Sequence, residues 1–231
     1  MQEEFLFEAL PPEQPKRVAF MIGRINPPTA GHYKVINKMK EFIRKNKDLK
    51  LDAMPVVVII EGAASSKDKS KNPLTAEERI SFLKSSGKAN GVTFLVAKNA
   101  FVALGVIRDA GFEPIAIGAG SDRAIHYKEM LDKSFKTSND GPIKHIIIPG
   151  LDRDEGAVET KSKIKKASTD AALDKIKQTD DIDDDEISGS LARRAVELGY
   201  FEEFAKIVGL DHKLPLAKIL YDKIKKSMGV E

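Results

Sequence analysis

The chain has 231 residues, of which 42% are hydrophobic and 32% are charged, and its net charge is +3. This length suits one sizeable core with a small appendage, and the composition is that of a soluble globular protein. So small a net charge indicates neither a nucleic-acid nor a membrane partner. Because the sequence has no cysteine, disulfides, a thiolate nucleophile and cysteine-ligated zinc are excluded. We expect a cytoplasmic protein.

Residues 1–16, MQEEFLFEALPPEQPK, are predicted to form a short N-terminal arm. They are acidic and lack the basic stretch and long apolar segment of a secretory signal. No stretch of the sequence approaches the ~18 apolar residues that a membrane span needs.

Five short apolar runs in residues 17–151 are predicted to be β-strands. Their continuous hydrophobicity and β-branched content favour a parallel sheet that is covered on both faces. The runs are VAFMI (18–22), VVVII (56–60), VTFLVA (92–97), PIAIG (114–118) and HIIIP (145–149).

Helical patterns lie between these runs, at 31–45, 75–84, 99–110 and 122–134. Within the second, Thr75 and Glu78 have the spacing of a capping box. Alternating strands and helices predict an α/β fold: a Rossmann-like, doubly wound parallel sheet of about five strands, with C-terminal helices. Such sheets bind ligands at the carboxyl ends of their strands.

The composition changes after the last apolar run. Residues 152–186 are charged and nearly free of aromatic side chains, so we predict an inserted lid or a loose helical excursion. Amphipathic pattern returns in 187–231, where two helices separated by GLDHKLP are predicted. The resulting division is an arm (1–16), a core (17–151), a charged insertion or lid (152–186) and a C-terminal helical part (187–231).

The stretch GRINPPTAGH (23–32) follows the first predicted strand. Its glycine permits a sharp turn, its prolines stiffen that turn, and Thr29 suits the cap of the next helix. Such a helix start favours phosphate, and His32 adds a donor one turn in. The same pattern also fits an ordinary strand, turn and helix with an exposed histidine.

A second stretch, ISGSLARR (187–194), has a comparable chemistry. Ser188 suits a helix cap, while Ser190 and Arg193 share one helix face and together could grip a polyphosphate. The alternative is a capped helix with a solvated arginine.

Together the two stretches resemble the signatures of the HIGH-superfamily nucleotidyltransferases, a cytidylyltransferase-like family. The first signature is (His/Thr)-x-Gly-His, often after a Gly-Arg-Phe-Asn-Pro-like run, and the second is Ile-Ser-x-Thr/Ser-x-x-Arg. Both occur here in the family's order. Ile25 stands where the family more often has an aromatic residue, a difference expected to affect packing rather than chemistry.

The resemblance implies roles for the matched residues. His32 would stabilise the α- or β-phosphate of a nucleotide, Thr29 would add a hydrogen bond, and Arg193 would contact the outer phosphates. Nucleotide contacts are implied for Gly23, Arg24, Asn26, Gly31, Ile187, Ser188 and Ser190.

Weaker similarities lie between the signatures. GAGSDR (118–123) resembles the family's turn near the adenosine, with Gly120 allowing close approach and Asp122 accepting hydrogen bonds, although a glycine-rich loop with a capping aspartate is equally compatible. Arg79, in NPLTAEERI, is predicted to contact the acceptor substrate or to brace the site. Arg153 follows the fifth run and is predicted to face the acceptor.

The lysine-rich segment SSKDKSKN (65–72) follows the second strand, where it either closes over a triphosphate or is a solvated loop. The resemblance implies Mg²⁺ bound with ATP, held mostly by nucleotide and water, and no metal site on the protein itself.

The implied partners are a nucleoside triphosphate and a phosphate-bearing small molecule; homo-oligomer formation stays open. The stretches are most similar to the adenylyltransferases that make NAD from nicotinamide mononucleotide, including phage- and archaeal-type relatives. Cytidylyltransferases, the enzyme that adenylates phosphopantetheine and a non-catalytic nucleotide-binding protein are the alternatives. A dinucleotide-dependent oxidoreductase is disfavoured, because the first turn lacks Gly-x-Gly-x-x-Gly spacing.

Overall fold

The computed structural model describes residues 15–62, 67–119, 146–149, 164–178 and 187–230. Its strands are β1 (Lys16–Gly23), β2 (Val56–Ile60), β3 (Thr93–Ala97), β4 (Phe112–Ala119) and β5 (Ile146–Pro149). Its α-helices are α1 (Ala30–Lys45), α2 (Ala76–Ser85), α3 (Ala100–Asp109), α4 (Ile164–Gln178), α5 (Gly189–Glu197), α6 (Phe201–Ile207) and α7 (Leu214–Met228). Within these ranges no helix combines the length and the apolar composition needed to cross a bilayer.

The five strands form one parallel sheet in the order β3-β2-β1-β4-β5. The predicted Rossmann-like α/β fold is therefore confirmed. From β1 the chain winds outward through β2 and β3, and it returns to the other side of β1 to form β4 and β5. The neighbours β1 and β4 thus flank the switch point of the sheet, where the crevice between the carboxyl ends binds ligands in folds of this class.

Both faces of the sheet are covered, which explains the continuous hydrophobicity of its strands. Val18, Phe20 and Ile22 of β1 pack on one face with α3. Ala19 and Met21 lie on the opposite face, in a cluster that includes side chains of α1 and α2. Alternate residues of a strand point to opposite faces, so every position of a doubly covered strand favours an apolar side chain.

The start of α2 has the predicted capping box. The side-chain oxygen of Thr75 accepts from the N–H of Glu78 at 3.3 Å, and a carboxylate oxygen of Glu78 accepts from the N–H of Thr75 at 2.9 Å. The helix predicted over 122–134 lies outside the described residues.

The C-terminal part contains three α-helices, not the two that its amphipathic pattern predicted. The first predicted helix is interrupted at Gly199, whose φ is +78°. The N–H of Tyr200 donates to the carbonyl of Ala195 and the N–H of Gly199 to that of Val196, the paired bonds of a glycine-terminated helix. This left-handed residue ends α5, and α6 starts in a new direction.

The described part of the predicted insertion, 152–186, is the helix α4, and it is packed rather than loose. Leu173 and Ile176 are buried in a cluster with side chains of α5, α6 and α7. The bidentate ion pair of Asp170 with Arg194 of α5, at 2.7 and 3.2 Å, adds a polar contact. The described part of this segment, α4, therefore belongs structurally with the C-terminal helices.

Candidate functional site

The loop that joins β1 to α1 lies at the switch point of the sheet. Gly23 ends β1, and a Cβ atom at this position would lie 3.2 Å from a side-chain carbon of Ile25. Ile25 is 2% exposed and has a φ of +50°, a left-handed conformation that is unusual for a β-branched residue. The following peptide bond, between Asn26 and Pro27, is cis. The chain thus turns tightly against the strand end.

Thr29 and His32 are in direct contact at the start of α1. The N–H of Thr29 donates to Nδ1 of His32 at 3.0 Å, and the Thr29 hydroxyl lies 2.7 Å from the same nitrogen. Because a backbone N–H can only donate, Nδ1 is an acceptor and carries no proton. A neutral His32 ring therefore carries its proton on Nε2. Thr29, which is 1% exposed, fixes both the tautomer and the orientation of the ring.

The first turns of the two signature helices, α1 and α5, carry no negative charge, as is also true of α3, α4 and α7. Neither α1 nor α5 has an acidic residue there. The start of α2 differs, because Glu77 and Glu78 lie in its first turn and a carboxylate oxygen of Glu61 accepts from the N–H of Ala76 at 2.8 Å. Acidic side chains near a helix start offset its partial positive charge. The positive ends of α1 and α5 are consequently more favourable for an anion than that of α2.

Asn26 connects the β1–α1 loop to the segment before α2. Its side-chain amide donates to the carbonyl of Leu74 at 2.9 Å and accepts from the N–H of Leu74 at 3.2 Å. Asn26 is 6% exposed, so this pair of bonds is shielded from water. The side chain thus satisfies both backbone groups of a residue 48 positions away and fixes the loop.

Arg193 brings the second signature onto the first. Its Nη1 donates to the backbone carbonyl of Asn26 at 2.5 Å, and its Nη2 donates to the hydroxyl of Ser190 at 3.1 Å. Gly189 makes this approach possible, because a Cβ atom there would lie 2.9 Å from the Asn26 carbonyl oxygen. The start of α5 is therefore packed directly against the loop that ends β1.

The surroundings of Arg193 affect its guanidinium. Burial lowers the pKa of Arg193, and nearby Arg24 lowers it as well, whereas Glu197 and Asp68 act in the opposite direction. An arginine in such a place keeps its charge, because the guanidinium is a very strong base. The two hydrogen bonds described above use two of its five N–H groups. The charge and the other three donors are available for an anionic ligand.

The other matched residues of the second signature have structural contacts. The Ser188 side chain caps α5 by accepting from the N–H of Leu191 at 3.2 Å. Ile187 is buried in the C-terminal cluster. Ser190 accepts from Arg193 with its oxygen, so its own O–H hydrogen remains a donor for an anion.

Arg79 is enclosed at the carboxyl end of β2. Only 2% exposed, its guanidinium donates to the carbonyls of Arg24, Ile60 and Thr75 and pairs with the Glu61 carboxylate at 3.0 Å. Through these contacts Arg79 connects the β1–α1 loop to the end of β2 and braces both segments. Contact of Arg79 with an acceptor substrate stays a prediction.

A shallow depression of about 300 Å³ opens beside Arg193 and Ser190. Ser70 and Lys71 line it from the lysine-rich segment, of which residues 67–72 are described. Asp68 shapes this segment by accepting from the Ser70 hydroxyl at 2.6 Å and pairing with Lys71 at 2.8 Å. These two hydrogen bonds lower the pKa of Asp68 to about 2, and the bond from Lys71 has the larger effect. The depression thus combines hydroxyls with the cations of Lys71, Arg193 and Arg194, and the Glu197 carboxylate also lines it.

The structure brings most of the predicted residues to one region. Gly23, Arg24, Asn26, Thr29, Gly31 and His32 lie on the end of β1, its loop and the first turn of α1, and Ile187, Ser188, Ser190 and Arg193 lie at the start of α5. Gly120, Asp122 and Arg153 fall outside the described residues.

Sequence reasoning missed three residues that build this region. Glu61 pairs with Arg79, Leu74 supplies the backbone partner of Asn26, and Gly189 admits the Asn26 carbonyl. A signal existed for Glu61, because it directly follows a buried strand at its carboxyl end, and for Gly189, because it stands inside the second signature.

No curated protein is significantly similar to the chain in sequence. Among solved structures, one described as a macrolide-efflux protein from Streptococcus pneumoniae is similar with a TM-score of 0.47 and 18% identity, over 85% of this chain and 56% of that one. The chain thus spans little more than half the length of that protein, and a likeness of this extent supports no statement about function.

The family comparison is more informative. The model of the cytidylyltransferase-like family matches residues 20–195. That span covers well over half of the chain and contains both signatures, from the end of β1 to Arg193. The chain belongs to the cytidylyltransferase-like family.

Proposed function

We propose that the protein is a nucleotidyltransferase that transfers the adenylyl group of ATP to a phosphate-bearing small molecule and releases pyrophosphate. The family match supports nucleotidyl transfer in general. Nicotinamide mononucleotide is the acceptor that we favour, because the two signatures are most similar to those of adenylyltransferases that form NAD.

The proposed reaction needs no covalent enzyme intermediate. A phosphate oxygen of the acceptor attacks the α-phosphorus of ATP, the new P–O bond forms, and the bond from the α-phosphorus to the bridging oxygen breaks as pyrophosphate leaves with that electron pair. The acceptor phosphate is already ionised at neutral pH, so no strong base is required. The protein's task is to align two polyanions and stabilise the developing negative charge.

His32 and Thr29 would act on the inner phosphates. With Nδ1 engaged by Thr29, the Nε2–H of a neutral His32 is the donor that would bind an α- or β-phosphate oxygen. The start of α1, without acidic residues in its first turn, would add its N–H groups and partial positive charge.

Arg193 and Ser190 would bind the outer phosphates. The Asn26 carbonyl and the Ser190 oxygen fix the guanidinium in place, so its remaining donors are preorganised. Lys71 would join them by exchanging its pair with Asp68 for a phosphate. That pair is 71% and 39% exposed at its two side chains, and exposed ion pairs are weak.

Mg²⁺ is part of the proposal as the ion that accompanies the nucleotide. The described residues contain no group of three or more histidine or acidic side chains that could hold a metal ion. They do not form a protein ligand set, and we derive no step through the ion.

One observation carries the proposal: Arg193 of the second signature donates to Asn26 of the first, so that two sequence-distant phosphate-binding patterns meet at the switch point. The test crosses ATP and CTP with nicotinamide mononucleotide, its acid form, phosphopantetheine and phosphocholine, each with Mg²⁺, and measures pyrophosphate release. We expect release with ATP and nicotinamide mononucleotide. Pyrophosphate release with CTP or with another acceptor would show that the favoured substrates are wrong. Intact ATP binding without pyrophosphate release from any pair would favour a non-catalytic nucleotide-binding protein.

A further inference from the structure

Helix α4 forms part of the wall of the depression beside Arg193. Thr169, in the second turn of α4, lines this depression together with Ser70, Lys71, Ser190 and Arg193. Neither signature contains Thr169. Its place beside the outer-phosphate donors is therefore set by the way α4 packs on α5.

The position of Thr169 is fixed by the residues that follow it. The carboxylate of Asp170 forms two hydrogen bonds with Arg194, at 2.7 and 3.2 Å, and Glu197 bonds the same guanidinium at 3.0 Å. One helical turn on, Leu173 is fully buried and Ile176 is 1% exposed. The ion pair and the apolar anchors together fix α4 against α5.

The same ion pairs separate the roles of two successive arginines. Asp170 and Glu197 raise the pKa of Arg194 and bond its guanidinium within the protein. Arg193 instead bonds neutral oxygens of Asn26 and Ser190. The α4 side of the depression therefore offers a polar hydroxyl beside an arginine that two carboxylates already bond, and Arg193 and Lys71 supply positive charge for a ligand.

We propose that the Thr169 hydroxyl binds the outermost phosphate of the nucleoside triphosphate, and that the Asp170–Arg194 ion pair positions it. His32 lies at the start of α1, just after the loop that follows β1. Thr169 lines the same depression as Arg193, Arg194 and Glu197 of α5. In this proposal the triphosphate runs from His32 past Arg193, and its last phosphate lies beside Thr169. This inference rests on the proposed function and adds a specificity-determining contact for triphosphate over diphosphate.

The test compares the affinities of ATP and ADP by calorimetry in the presence of Mg²⁺. Thr169→Val keeps the shape of the side chain and removes the hydroxyl. We expect its Kd for ATP to rise about tenfold, the loss of one hydrogen bond to a charged group, while its Kd for ADP stays unchanged. Thr169→Ser, which retains the hydroxyl, should restore the preference for ATP. Asp170→Asn should weaken ATP binding selectively, by a smaller factor.

The outcomes separate this inference from the proposed function. An unchanged ratio of ATP to ADP affinity in Thr169→Val overturns the contact, and so does an equal loss for both nucleotides, which would indicate a structural role. A wild-type protein that binds neither ATP nor CTP overturns the contact and the proposed function together. Thermal unfolding of each variant checks that the fold is retained.

Discussion

The guanidinium of Arg193 donates to the backbone carbonyl of Asn26 across a sequence separation of 167 residues. Asn26 in turn bonds both backbone groups of Leu74 with its side chain. Three separate segments therefore meet at the carboxyl end of β1: the β1–α1 loop, the segment before α2 and the start of α5. The geometry of the proposed phosphate site depends on this junction.

Arg193→Lys should lower kcat/KM for pyrophosphate release by about 10- to 100-fold, because an ammonium cannot reproduce the planar fork that joins Asn26, Ser190 and a phosphate. Steady-state kinetics at varied ATP measure the effect. The matched control is Arg44→Lys, at an exposed position in the last turn of α1, which should be neutral. Equal kinetics for the two variants would remove Arg193 from the site.

Gly189→Ala tests the close approach of α5 to the loop. The added Cβ would lie 2.9 Å from the Asn26 carbonyl oxygen, so the helix start must shift. We expect a loss of about 1–3 kcal/mol in the free energy of unfolding, the range for overpacking, with a fall in ATP affinity. Gly105→Ala, in a helix with open space around the glycine, should instead stabilise by about 0.5–1 kcal/mol. Denaturant unfolding measures the stability of both variants. Equal free energies of unfolding would show that the close approach of residue 189 to Asn26 does not matter.

Asn26→Asp should destabilise the protein at neutral pH by about 1–3 kcal/mol or more, because a carboxylate oxygen would face the Leu74 carbonyl without a donor between them. Protonation restores a donor, so the carboxyl of the variant should have a raised pKa in the folded state. Folding then takes up a proton, and the deficit relative to the wild type should shrink as pH falls. Urea unfolding at several pH values measures the difference in the free energy of unfolding between the variant and the wild type. A difference that grows on acidification contradicts this account.

Arg79→Met should cost about 3–5 kcal/mol, because it removes the counter-charge of the Glu61 carboxylate and a side-chain donor to three carbonyls. Glu61→Gln retains an acceptor for Arg79 and Ala76 and should cost less. Thermal unfolding of the variants measures the loss of stability, and kinetics at varied acceptor concentration measure KM for the acceptor. The two together distinguish a brace from a substrate contact. A raised KM for the acceptor at unchanged stability would show that Arg79 contacts substrate and is no brace.

The strands could be predicted from sequence because a doubly covered sheet requires unbroken apolar runs, such as VVVII at 56–60, and little else produces them. The break at Gly199 was missed because amphipathic spacing continues across it. The packing of α4 was missed because the buried Leu173 and Ile176 form too narrow a stripe within a charged segment.

The two signatures located the candidate site, but its internal bonds could not be predicted. Nothing in the sequence pairs Asn26 with Leu74, since any backbone can supply the two groups that an amide side chain bonds. The tautomer of His32 likewise depends on the distance from Nδ1 to Thr29, which only a structure gives.

The rate of pyrophosphate release by His32→Ala, with ATP, nicotinamide mononucleotide and Mg²⁺, tests the central claim most directly. Removing a preorganised donor to the reacting phosphates should lower kcat by about 10²-fold or more. The melting temperature checks that the variant is folded. If folded His32→Ala releases pyrophosphate as fast as the wild type, the Thr29–His32 pair is not the phosphate-binding element that we propose.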